Sequence, residues 1–229
     1  MSARDNILAR IRGALDRKQP LTDTEAAKMR SKLREHPRGP MPAMDWDPLV
    51  RFPQRCLSLS STVDTIASLE QLPAAVARYL ETNQLTRTAV CWPQYAGLDW
   101  SGSALDVEPR AATGDDLTGI TGSYCAIAET GTLMLLSGTD THSKTSLLPE
   151  THIAVVARSR IVRSMEDAWD LLRREHRQPP RQVAFVSGPS RTADIELTLV
   201  LGVHGPYRVH VILLDDIGSD AAGEPIRTQ

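Results

Sequence analysis

Apolar residues along this chain recur first at helical spacing and then, from about residue 55, in short strand-like runs separated by helical ones. Ile7, Leu8, Ile11, Ala14 and Leu15 share one face of a helix predicted over residues 4–17, with Arg and Asp on the remaining faces. A second, more polar helix is predicted from about Thr22 to Glu35. The proline-rich run "HPRGPMPAMDWDPLVRFP", His36 to Pro53, predicts extended or irregular chain, because each proline lacks a backbone donor and resists a helix interior. Residues 1–54 therefore read as an N-terminal helical arm with a Pro-rich linker, suited to packing on its own domain or on a subunit partner. Residues 55–229 read as one α/β domain.

Within that domain "VDTIA" (63–67), "TAVCW" (88–92), "LDVEP" (105–109), "HIAVVAR" (152–158), "QVAFVSG" (182–188) and "RVHVILL" (208–214) are predicted strands. "SYCAIAETGTLMLL" (123–136) reads as two strands joined at Thr130-Gly131. A helix begins near Pro73, where proline suits a first turn, and turns Val76, Tyr79 and Leu80 inward. Ser164 caps another helix. Its first turn carries Glu166 and Asp167, and its end carries Arg173, Arg174 and His176, which matches the helix dipole at both ends. Strand and helix alternating in this way predict a mainly parallel sheet. "TADIELTLVLG" (192–202) fits either a strand or a capped helix; between two buried strands a short crossover helix suits the topology better.

Composition narrows the functional classes. A formal charge of −2 leaves no basic field for nucleic acid or an anionic membrane, and no run is apolar enough to span one. The cations are 22 Arg against 4 Lys, a bias to which no function is attached. Cys56, Cys91 and Cys125 are an odd set without a C-x-x-C, too few for an ordinary iron–sulfur cluster. They read as buried or half-buried thiols in a reducing compartment. The charged N-terminus is unlike a signal peptide, so a cytoplasmic location is expected. No histidine or cysteine spacing suggests a metal site.

Three stretches carry candidate chemistry. In "TGDDLTGITGSYCAIAETGT" (113–132), glycines 114, 119, 122 and 131 allow tight turns or close approach of a ligand. Gly122, Thr130, Gly131 and Thr132 are its candidate anion-binding residues. Glu129, set between apolar flanks, serves either as a base or nucleophile at a strand end or as an acceptor that fixes the hairpin. In "SGPSRTADIE" (187–196), Ser190, Arg191, Thr192 and Asp194 surround a turn whose free N–H groups and guanidinium suit a carboxylate or phosphate; the plain alternative pairs Arg191 with Asp194 or Glu196. In "GVHGP" (202–206), His204 sits between glycines as a proton carrier or a hydrogen-bond anchor.

Together "TGSYCAIAETGTL", "LLPETHIAVV", "SGPSRTADIE" and "GVHGPYRVHVILLDD" resemble the LUD domain of the lactate-utilisation protein C (LutC) family, over most of the chain from about residue 60, and the helical arm is typical of it. The resemblance implies a fold like that of the sugar-phosphate isomerase and CoA-transferase superfamily. It also implies a part in oxidising L-lactate to pyruvate. Iron–sulfur clusters are then expected on partner proteins, with no cofactor in this chain. In some members of that superfamily a glutamate followed by x-Gly is a covalent nucleophile, and Glu129-Thr130-Gly131 is similar in form. The expectation is a component of a cytoplasmic lactate system that binds a small carboxylate, with Glu129 and His204 nearest any chemistry. Two alternatives stay open: an acyl- or CoA-transferase-like or isomerase-like enzyme using Glu129, and a non-catalytic module that assembles redox partners. The sequence does not decide whether the chain catalyses a step or forms homo-oligomers.

Overall fold

A computed structural model describes residues 2–16, 21–192 and 200–216. It divides into two compact units, Met1–Ala43 and Met44–Gln229. In the first, helix α1 (Ala3–Ala14) starts at a capping box in which Ser2 and Asp5 satisfy each other's backbone N–H groups. Helix α2 (Asp23–Glu35) repeats the device with Thr22 and Glu25. Neither helix buries a residue, and Ile7, Ile11, Leu15, Met29 and Leu33 are exposed.

The second unit opens with a helix where the prolines predict irregular chain. α3 (Pro48–Ser58) is capped by Asp47, whose Oδ1 accepts from Leu49 N–H at 2.9 Å, and Pro48 occupies a first-turn position that needs no donor. Pro53 removes one helical hydrogen bond; burial of Phe52 and Cys56, four residues apart on one face, compensates. Then come β1 (Thr62–Ile66), α4 (Leu72–Thr82), β2 (Thr88–Cys91), β3 (Asp106–Pro109), β4 (Thr118–Gly122), β5 (Cys125–Ile127), β6 (Thr132–Leu136), α5 (Lys144–Leu147) and β7 (Thr151–Ala157). After these follow β8 (Ile161–Val162), α6 (Met165–Glu175), β9 (Val183–Val186), β10 (Arg191–Thr192), β11 (Val200–Leu201) and β12 (Arg208–Leu214).

Six strands form a wholly parallel sheet in the order β1-β12-β7-β4-β2-β3. Its central strands are buried on both faces, which is why β7 and β12 read as nearly continuous apolar runs. A second sheet, β8-β5-β6-β9, is mixed. Its hairpin alternates between two cores. Ala126, Ala128, Leu133 and Leu135 join the main core with Ile120, Ile153 and Ile212. Cys125, Ile127, Met134 and Leu136 pack with Ala168, Leu171 and Leu172 of α6.

The expected strands are all present, and α4 and α6 start where their caps and proline place them. β4 is the main addition. Its "TGITG" reads as a glycine-rich loop, yet every residue is buried in the middle of the sheet. Gly119 is there for close packing. A Cβ on it would stand 2.1 Å from the Thr145 carbonyl oxygen of α5. The crossover helix expected over 192–202 falls on 193–199, outside the described residues; its flanks, β10 and β11, pair antiparallel.

Gly119→Ala must displace α5 or bend β4. It is expected to cost about 3 kcal/mol or more, at or above the usual upper end for overpacking, measured by urea denaturation.

Candidate functional site

The Glu129 turn is assembled by the backbone. Gly131 N–H donates to the Ile127 carbonyl at 2.9 Å, and Glu129 N–H donates to the Arg163 carbonyl at 2.9 Å. Gly131 adopts φ +69°, and a Cβ there would lie 2.8 Å from Arg55 Cβ and 3.0 Å from the Arg55 carbonyl carbon. Only glycine fits both the dihedral and the gap. The turn thus rests directly on the last turn of α3.

On this seat the hydroxyls form a line. Thr130 Oγ1 is 2.7 Å from Thr132 Oγ1, which is 2.6 Å from Ser187 Oγ at the end of β9. Three hydroxyls hold three protons and the two contacts use two, so one of the three keeps a proton that the line itself does not use. The half-buried Glu129 carboxylate takes no hydrogen bond or ion pair from the described residues. It does not fix the hairpin, whose bonds are backbone bonds.

The second stretch meets the same helix end. Gly188 packs against the Leu59 carbonyl, and Arg191 Nη2 donates to that oxygen at 2.8 Å and to Ser60 Oγ at 2.9 Å. Ser190 N–H donates to the Pro206 carbonyl at 2.9 Å and its carbonyl accepts from Gly202 N–H at 3.0 Å, which brings the exposed His204 loop alongside. Thr192 is buried in β10. Asp194 lies outside the described residues.

These groups converge on the residues leading into β1 and β12, at the amino ends of those strands rather than the carboxyl ends where open α/β sheets ordinarily hold ligands. β5 starts three residues beyond the carboxyl end of β4, and the hairpin carries its turn away from there. Gly122 stays behind at that end, against Gln94, Tyr95 and Trp92, and is not brought to the turn. Arg55, Leu59 and Ser60 join the site from segments that sequence reasoning left out of it, and Ser187, which opens the second candidate stretch, joins although it was not among the candidate residues. Asp47-Pro48 followed by Phe52 and Cys56 is the signal that locates α3.

Other titratable groups are structural. His152 and His210 are buried on opposite faces of the parallel sheet, their Nε2 and Nδ1 atoms 2.8 Å from the hydroxyls of Thr121 and Thr62. Burial holds both imidazoles down at about 4. Cys56 and Cys125 are pushed up to about 12 and Cys91 to about 11 by burial, so all three are neutral thiols. Arg160 grips Glu175 with two bonds of 2.7 and 2.8 Å, which holds that carboxyl down at about 2. Among the described residues no three of His, Cys, Asp and Glu converge as metal ligands.

Residues 101–214 match the family model described as the LUD domain. The chain carries a LUD domain. The chain is similar to lactate utilization protein C of Bacillus subtilis (strain 168), 38% identical over 129 residues, 55% of this chain and 54% of that protein. It is also similar to lactate utilization protein C of Anoxybacillus flavithermus, 41% identical over 98 residues, 43% of this chain and 44% of that protein. The chain thus spans about half the length of the curated relatives it matches. A crystal structure of a DUF162 family protein from Deinococcus radiodurans superposes with a TM-score of 0.56 and 26% identity, covering 76% of this chain and 99% of that one. The α/β fold with a mainly parallel sheet is shared with that protein.

Two outcomes follow from this geometry. Gly131→Ala forces the turn off α3 and is expected to destabilise by roughly 1–3 kcal/mol, read by thermal denaturation. His152 and His210 have folded values below the ordinary 6.5, so unfolding takes up protons between about pH 6.5 and 4. Stability should be independent of these groups above that window and fall as pH drops through it, with a denaturation slope approaching two protons.

Proposed function

We propose that this chain works in the utilisation of L-lactate, in the cytoplasm, beside partner proteins that carry the iron–sulfur clusters of the oxidation. Its own part is to bind a small carboxylate at the Glu129–Thr132 turn. The similarity to lactate utilization protein C supports the pathway. The observation that carries the site is the pairing of a hydroxyl line that keeps one proton unused with a carboxylate, Glu129, that has no partner among the described residues. A 2-hydroxy acid answers both: its carboxylate accepts from the hydroxyl line, and its own hydroxyl donates to Glu129. The free Glu129 carboxylate also meets the first requirement of acyl transfer, in which it is the nucleophile; a covalent acyl adduct on Glu129, sought by mass spectrometry, separates that reading from simple binding.

Deleting the gene is expected to abolish growth on L-lactate while leaving growth on glucose intact, and undiminished growth on lactate overturns the proposal. Glu129→Gln should leave stability within about 0.5 kcal/mol, because none of the described residues pairs with its charge, yet fail to restore growth.

A further inference from the structure

The wall of the site formed by α3 carries two arginines that donate to no acceptor among the described residues. Arg51 and Arg55 are four residues apart and so lie on one face of the helix. Each is half-buried, and the Nε of each is buried with no hydrogen-bond partner. By contrast Arg78, Arg110 and Arg160 each hold a carboxylate. Arg51 lies 5.7 Å from the centroid of the Trp46 ring, which braces it. Arg163 lies 5.8 Å from the same centroid, but its Nη1 is spent on the carbonyls of Met44 and Trp46 at 2.8 and 2.7 Å. Arg55 is the residue against which Gly131 packs.

A buried guanidinium N–H without an acceptor is costly, and the cost is recovered when an anion arrives. The Nε–H and one Nη–H of a guanidinium form a planar fork that matches two oxygens of one carboxylate or phosphate. Half-buried Glu129, two residues from Gly131, is equally without a partner among the described residues, so the site keeps a cation and an anion apart rather than joining them. That separation suits a ligand with an anionic head for α3 and a hydroxyl for Glu129.

We propose that the last turns of α3 form an oxyanion seat, with Arg55 as the principal ligand to a carboxylate or phosphate and Arg51 as a second cation beside it. This rests on the reading of the Glu129 turn as the ligand site, and it adds the group that takes the ligand's charged end. The seat fits the packing of the turn on α3 through a glycine: any side chain at 131 would push the turn off Arg55.

The test is calorimetric titration of the full chain at low ionic strength with L-lactate, propionate and inorganic phosphate. One-site binding of at least one of them is expected. Arg55→Met should weaken it by about tenfold or more, as for loss of a charge-assisted hydrogen bond, and Arg51→Met by less. Arg174→Met, which removes an exposed charge from α6, should leave it unchanged. Failure of all three anions to bind, or undiminished binding by Arg55→Met, overturns the seat. Arg55-dependent binding of phosphate without lactate keeps the seat and removes lactate as the ligand, so the two failures are told apart. If Arg55→Met does not fold, phenylglyoxal modification of the wild-type chain decides: a bound oxyanion should slow labelling of Arg55 several-fold by mass spectrometry, and an unchanged rate overturns the proposal.

Discussion

The candidate site depends on one close contact, the approach of the Glu-Thr-Gly turn to the end of α3. A hairpin from the second sheet, a loop after β9 and the approach to β12 are distant in sequence, and none of them could form a site alone. The helix end gives them a common surface. Gly131 lies on the Arg55–Cys56 backbone, Gly188 on Leu59, and Arg191 on Leu59 and Ser60. Because Gly131 seats the turn by close packing, the hydroxyl line is fixed without Thr130, Thr132 or Ser187 bonding to α3, and the Glu129 carboxylate stays available to a ligand.

The parallel sheet supplies the rigidity behind that contact. Residues Leu59 to Ser61 run directly into β1, and Pro206 lies two residues before β12, the neighbour of β1 in the sheet. Neighbouring strands therefore hold two of the converging segments at a fixed spacing, and the main core under them includes Phe52 and Cys56 of α3 itself. The buried polar groups of the sheet have mostly short-range roles. Thr121 and Thr62 occupy one nitrogen of each buried imidazole, and neither histidine is near the hydroxyl turn in the hydrogen-bond pattern.

Most of the sheet was legible because buried parallel strands announce themselves as apolar runs, as β7 and β12 do. β4 was not, since its "TGITG" carries the glycines and hydroxyls of a loop; only its neighbours reveal that Gly119 makes room for Thr145 and that Thr121 meets His152. α3 was hidden by Pro48 and Pro53, though the first proline marks a helix start and the second is outweighed by the burial around it. Glu129, Thr130, Thr132 and Arg191 could be singled out by residue type alone. Arg55, Ser60 and Ser187 could not, because their relevance comes from juxtaposition across the chain: the Cys56 thiol and the Gly131 carbonyl that meet there are 75 residues apart.

The hairpin that feeds two cores has a further consequence. Its residues alternate strictly, small Ala126 and Ala128 inward toward the main sheet, and Cys125 and Ile127 outward toward α6. A one-residue slip in β5 would exchange the two sets, driving an isoleucine into space shaped for alanine and leaving a void under α6. The length of the connection between β5 and β6 is therefore a gauge for both cores at once. An insertion there would be felt throughout the domain, which makes the segment bearing Glu129 one of the least adjustable in length along the chain.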